Sequence, residues 1–143
     1  MEKILKENAK IVILGDLTRF PQDIQDNVNE VLEDSKNNTG ITVNIALNYG
    51  GRAEIVNAIN KLLQEKVKEV DENTFSNTLY TNGQPDPDLI IRTGGEKRLS
   101  GYLPWQGVYS ELYFTDTYWP DFNSKEFDLA LEDFSNRARR FGK

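Results

Sequence analysis

The sequence has no cysteine and no histidine in its 143 residues. Without cysteine there is no disulfide, no thiolate metal ligand and no thiol nucleophile. Without histidine, a Ser-His-Asp triad and a His-Glu-x-x-His metal site are excluded too. Any chemistry falls to carboxylates, Arg, Lys, Tyr, Ser/Thr, backbone amides or a hard metal. No apolar run approaches the ~20 residues of a membrane span. The segment Met1 to Lys10 is charged and lacks a signal-peptide core. A cytoplasmic protein without a transmembrane segment is therefore the expectation. Basic charge is not in excess either. The net charge is -6, which argues against a nucleic-acid-coating protein. A small anionic ligand stays open, because local arginines matter more than the sum. Linkers, low-complexity tracts and solenoid-length repeats are also missing. Residues 1–143 read as a single domain.

What is present is an ordinary globular balance, with 38% hydrophobic and 28% charged residues. The pattern alternates strand and helix. Ile11-Val12-Ile13-Leu14 is a short apolar run ended by Gly15-Asp16, which predicts a strand buried on both faces. Pro21 suits the first turn of a helix striped by Ile24, Val28 and Val31 or Leu32. A second strand follows over residues 41–48. The next helix starts near Arg52, with Ile55, Ile59, Leu62 or Leu63, and Val67 on one side. Thr74 to Tyr80 suits another short helix. Leu89-Ile90-Ile91 makes a third strand, Pro104 to Ser110 a helical turn or more, and Leu112 to Phe114 a fourth strand. The last helix starts near Asn123, with Glu126 as a capping-box partner. Phe127, Leu131, Phe134, Ala138 and Phe141 mark its buried face. Such alternation predicts an α/β fold: a mainly parallel sheet of about four strands flanked by helices. The C-terminal strand ends of such a sheet line one ligand-binding edge.

Two strand ends carry the same construction. Arg92-Thr93-Gly94-Gly95 closes the third strand, with Glu96, Arg98 and Ser100 just beyond. Two guanidinium forks, a hydroxyl and backbone amides presented by glycines suit a diphosphate. The same residues also fit a tight turn with a solvated basic rim. Asn48-Tyr49-Gly50-Gly51-Arg52 closes the second strand and opens a helix, whose N-terminus attracts anions. It also fits a plain βα connection in which Arg52 pairs with Glu54 or Glu96. Glu111 stands among aromatic and apolar residues. It suits either one carboxylate of a magnesium site or a partner for an arginine. Trp105, Tyr109, Tyr113, Tyr118 and Trp119 suit core or interface rather than a base-stacking platform, and nothing basic interleaves with them.

Residues 41–54, ITVNIALNYGGRAE, and 87–122, PDLIIRTGGEKRLSGYLPWQGVYSELYFTDTYWPDF, resemble the C-terminal signature of undecaprenyl diphosphate synthases, which are cis-prenyltransferases. ILGDLTRFP and the ending RARRFGK are similar as well. The resemblance implies isopentenyl diphosphate as a ligand, held by Arg92, Arg98 and Ser100. Asn48, Arg52 and Glu96 would support the site. Glu111 would help place Mg2+. Arg140 and Gly142 would reach the site of a neighbouring subunit in a homodimer. Gly94 and Gly101 stand where the family often has Ser and Asn, and Pro104 replaces an apolar residue.

The resemblance also implies absences. The family's opening strand is followed by His and an Asp-Gly-Asn-Gly-Arg loop that binds the allylic prenyl diphosphate and carries its essential aspartate. This sequence has no histidine and no Asp-Gly pair. It therefore reads as a truncated version of the cis-prenyltransferase fold, with no complete catalytic set, inactive alone. The allylic substrate would bind only with the missing half, and membrane contact would be peripheral, through the product. An apolar strand edge would be left in need of a partner. Two other readings remain at this point: a non-catalytic subunit of a heteromeric prenyltransferase, and an unrelated phosphate-binding α/β module.

Overall fold

Four short parallel strands, four α-helices and two single-turn 3-10 helices make up the computed structural model, which describes residues 7–137. They divide into two compact units, Met1–Asn82 and Gly83–Lys143. The fold class is α/β with parallel pairing, as the alternation predicts. The strands, however, pair in twos rather than as one continuous ladder of four.

In the first unit, β1 (Lys10–Leu14) pairs in parallel with β2 (Thr42–Ala46), in the register Lys10↔Thr42 to Leu14↔Ala46. Helix α1 (Gln22–Ser35) crosses between them and packs on β1. Pro21 lies just outside that helix as its N-cap, not in its first turn. Its extended ψ of 150° lets its carbonyl accept from the amides of Ile24 and Gln25. The α1 stripe buries less than expected, since Ile24 is exposed. Ser35 is the fully buried position. It accepts a hydrogen bond from the Ile11 amide (3.1 Å) and donates to the Val31 carbonyl (2.9 Å). A buried hydroxyl thus satisfies a backbone donor that β1 cannot pair.

Helix α2 (Gly51–Gln64) keeps part of the expected stripe inside, with Leu62 buried and Ile55 half-buried, but is rotated from the rest of it. Gly51, Glu54, Ala58 and Leu62 are buried, while Ile59 and Leu63 are exposed. Both sets step by three or four, so periodicity alone could not choose between them. The buried set wins in this structure, because Gly51 and Ala58 allow close approach and Glu54 finds partners inside. Helix α3 (Glu72–Ser76) starts two residues before the predicted one, capped by Asp71, whose carboxylate accepts from the Thr74 amide at 2.7 Å. The core consists of Ala9, Ile11, Leu14, Ala58, Leu62 and Leu79. Strand β2 is mostly exposed, Ile45 included.

In the second unit, β3 (Leu89–Arg92) pairs in parallel with β4 (Glu111–Phe114), from Leu89↔Glu111 to Arg92↔Phe114. Between them, residues 104–110 form one α-turn, closed by the Gly107 amide on the Leu103 carbonyl at 2.8 Å. Helix α4 (Ser124–Ser135) packs on β4. Asn123 caps it as expected, accepting from the Lys125 and Glu126 amides. The capping box stays half-formed, because the Glu126 carboxylate accepts from the Thr117 hydroxyl instead. Its buried residue is Ala130, whereas Phe127 and Leu131 are exposed and Phe134 is half-buried. The expected positions Ala138 and Phe141 lie outside the described residues. Ile90, Leu103 and Ala130 are the buried apolar residues of this unit.

Candidate functional site

In the first unit the two strand ends meet closely. Gly15 has φ of +130°, and a Cβ there would lie 2.0 Å from the Leu47 carbonyl oxygen, so only glycine fits. Asn48 follows with φ of +49°, its side-chain amide donating to the Asp16 carbonyl at 3.0 Å. Asp16 accepts from the amide (2.9 Å) and hydroxyl (2.6 Å) of Thr18. Those bonds hold its carboxyl below the usual carboxylate value.

Gly50 caps α2 without a side-chain bond, so the first-turn amides receive no cap. Arg52 projects from that turn, exposed, and makes no hydrogen bond or ion pair among the described residues. The expected pairing of Arg52 with Glu54 is replaced by another. Buried Glu54 accepts from the Tyr49 hydroxyl at 2.7 Å and the Tyr80 amide at 2.8 Å, and Asn57 donates to the Tyr80 hydroxyl at 3.1 Å. A cleft of about 330 Å3 opens between Asp16, Arg19, Asn48, Asn57 and Tyr80. The Glu54 cluster escaped sequence analysis. Its only signal was a carboxylate in a first helical turn after two glycines.

In the second unit, β3 delivers Arg92 half-buried. One guanidinium nitrogen, Nη1, donates to the Arg98 carbonyl and to the Ser100 hydroxyl, the latter at 3.1 Å. Ser100 reaches it with φ of +51°. Its remaining donors have no partner among the described residues. Arg98 is exposed and pairs with Glu96. Arg92, Glu96, Arg98 and Ser100 are therefore brought together.

Gly94 and Gly95 do not present their amides to a ligand, contrary to expectation. They donate at 2.9 Å each to the Thr117 and Thr115 carbonyls. The glycines serve geometry, with φ of +85° and +79°, and Gly101 does likewise at +80°. The polar groups this loop leaves facing outward are therefore the guanidinium groups of Arg92 and Arg98 and the Ser100 hydroxyl.

Glu111 stands at the other end of this ladder. It faces Leu89, three residues before Arg92, or about 10 Å along the strand. The Ser110 hydroxyl on the Pro87 carbonyl (2.6 Å) and the Glu111 amide on the Asp88 carbonyl (2.9 Å) fix it there. Its Oε2 accepts from Arg137 at 2.8 Å. Arg137 was not singled out in the sequence, although its spacing from Asp133 signals a helical pair. Those bonds, with Glu111 first and Asp133 second, raise the Arg137 pKa. The other Glu111 oxygen has no partner among the described residues. One partly exposed carboxylate with a spare oxygen fits magnesium, which takes one or two carboxylates and keeps waters or phosphates. No group of three or more acidic side chains able to hold a metal occurs among the described residues. Arg140 and Gly142 lie outside the described residues.

No helix among the described residues is long and apolar enough to cross a membrane. A prenyltransferase family model, described as "Putative undecaprenyl diphosphate synthase", matches residues 1–142. An isoprenyl transferase of Corynebacterium glutamicum is 47% identical, covering 95% of this chain and 65% of that protein. One of Fusobacterium nucleatum is 46% identical, over 99% and 61%. The chain thus spans less than two thirds of these relatives. The crystal structure of a probable undecaprenyl diphosphate synthase from Campylobacter jejuni superposes with a TM-score of 0.89 at 36% identity, covering 99% of this chain and 67% of that one. That of lavandulyl diphosphate synthase from Lavandula x intermedia, in complex with dimethylallyl diphosphate, gives 0.90 at 32%, over 99% and 68%. These matches remove the reading as an unrelated phosphate-binding module. The chain belongs to the undecaprenyl diphosphate synthase family of prenyltransferases.

Proposed function

We propose that this chain supplies the isopentenyl diphosphate-binding half of a cis-prenyltransferase, which joins isopentenyl diphosphate to an allylic prenyl diphosphate. The observation that carries this reading is the Arg92 guanidinium, delivered by a strand end and held through one nitrogen only. Its other donors are left for phosphate oxygens, which arginine meets as a fork. Arg98 and Ser100 add a second fork and a hydroxyl, and Glu96 orients Arg98. Asn48, Arg52, Arg140 and Gly142 are supporting residues by their place in the family motifs.

In the condensation the allylic C–O bond breaks and its diphosphate leaves with the bonding pair. A C–C bond forms to the isopentenyl double bond, and a proton is lost. Magnesium, when bound, supplies positive charge to the diphosphates. Glu111 is the residue here that would hold it. The 143 residues contain no histidine and no Asp-Gly pair, the features the resemblance assigns to the allylic end. This chain by itself is therefore expected to bind without turnover.

A homodimer agrees with the exposed side chains of Val108, Tyr109, Tyr118 and Trp119, each at least 67% accessible. The cell-wall lipid carrier is the product class, and contact with a membrane is peripheral, through that product, from the cytoplasm.

Calorimetric titration of the chain with isopentenyl diphosphate and with inorganic diphosphate, both with Mg2+, tests the reading. Preference for isopentenyl diphosphate, a dimeric mass and no polyprenyl product are expected. Equal affinity for both ligands contradicts the substrate assignment. Product formation contradicts inactivity alone.

A further inference from the structure

Arg137 joins two carboxylates on two elements. Its Nη1 donates to Oε2 of Glu111 at 2.8 Å, and its Nη2 to Oδ2 of Asp133 at 2.5 Å. Glu111 opens β4, and Asp133 lies in the last turn of α4. The three side chains are 28%, 44% and 32% accessible for Glu111, Asp133 and Arg137. They are dry enough for the charges to feel one another and wet enough for an ion to enter. Asp133 near a helix C-terminus is disfavoured by the helix dipole, and the arginine four residues later offsets that. The trio carries one net negative charge. Without the guanidinium it would carry two.

We propose that Arg137 is the resident counter-ion of Glu111 and sets how tightly that carboxylate takes a divalent cation. The inference rests on the reading of Glu111 as the cation-holding residue. A cation arriving at Glu111 meets a fixed positive charge already bonded to one oxygen. It must share the carboxylate or displace the guanidinium. Arg137 does not leave by losing its proton, since a guanidinium stays charged in proteins. Displaced from Glu111, it stays tethered to Asp133 and remains a local competitor. Arg137 is thus a positioning residue that keeps Glu111 neutralised until a cation outcompetes it.

The test uses Mn2+ as a spectroscopic probe, titrated into the full chain and followed by electron paramagnetic resonance, with melting curves on the same samples. Arg137→Gln removes the competitor and leaves two neighbouring carboxylates, so Mn2+ binds at least about five-fold tighter. Its melting temperature falls without cation and rises more on Mn2+ addition than that of the wild type. Lysine keeps the charge but cannot fork to both carboxylates. Arg137→Lys therefore tightens binding less, and it serves as the second variant if Arg137→Gln does not fold. Glu111→Gln abolishes the site. Should Glu111→Gln lose Mn2+ while neither Arg137 variant binds it tighter, the role of Arg137 is overturned and the cation reading stands. Should wild type and all variants bind no Mn2+, both fall together. A merely structural Arg137 would lower the melting temperature and leave Mn2+ affinity unchanged.

Discussion

The loops that end β2 and β3 are written alike and built differently. Each places two glycines and an arginine at the end of a parallel strand. After β2, the glycines open a helix whose first-turn amides have no side-chain cap, and Arg52 stands exposed without a partner among the described residues. After β3, Gly94 and Gly95 spend their amides on the Thr117 and Thr115 carbonyls, and the loop curls back to hold Arg92. The first loop offers backbone dipoles and an exposed charge. The second offers a preset guanidinium. Preorganised donors bind more tightly, because less side-chain freedom is lost on binding. The β3 loop should therefore dominate anion affinity, and the β2 loop should be the more sensitive to damage in the fold beneath it.

The largest expected effect breaks the β2 side. Gly15→Ala puts a Cβ 2.0 Å from the Leu47 carbonyl oxygen. The strand ends must part, costing at least about 4 kcal/mol in urea unfolding. Glu54→Ala comes next. It removes the acceptor used by the Tyr49 hydroxyl and the Tyr80 amide, and should cost about 3 kcal/mol by the same assay. Neither change should affect the arrangement around Arg92, which infrared or NMR signals of the guanidinium would report.

On the β3 side, Ser100→Ala removes one of two acceptors that fix Arg92. Isopentenyl diphosphate affinity should fall roughly three-fold, with stability nearly unchanged. The smallest effect is a pH response. The Asp16 pKa lies below its ordinary value because Thr18 donates to it through its hydroxyl and amide. A depressed folded-state pKa stabilises above the unfolded value and is lost as pH falls through the folded one. Melting temperature should thus lose a small increment below pH 3.8, the ordinary value. Asp16→Asn should remove that increment.

Much of this was legible in the sequence. The four strands were, because each is a short β-branched or apolar run closed by glycine or a turn. The cap at Asn123 and the loop from Arg92 to Ser100 were too. Helix rotation was not. In α2, residues 54, 58 and 62 compete with 55, 59 and 63, and only tertiary packing chooses. A charged Glu54 on the buried side argues against the true register until its two donors are known. The fate of the Gly94 and Gly95 amides was hidden as well, because their acceptors lie 23 and 20 residues on. Arg137 opens the family-like ending RARRFGK, but nothing in that pattern signals its bond to Glu111, 26 residues earlier in the chain.

The central claim is that Arg92, rather than the glycine amides or Arg52, anchors a diphosphate. The direct measurement is isopentenyl diphosphate affinity, by calorimetry with Mg2+, of wild type, Arg92→Ala and Arg52→Ala. Loss of a charge-assisted bond predicts a fall of about 10- to 100-fold for Arg92→Ala. An exposed charge predicts less than about five-fold for Arg52→Ala. An Arg52→Ala loss as large as that of Arg92→Ala, or an Arg92→Ala chain that binds as the wild type does, would contradict the account.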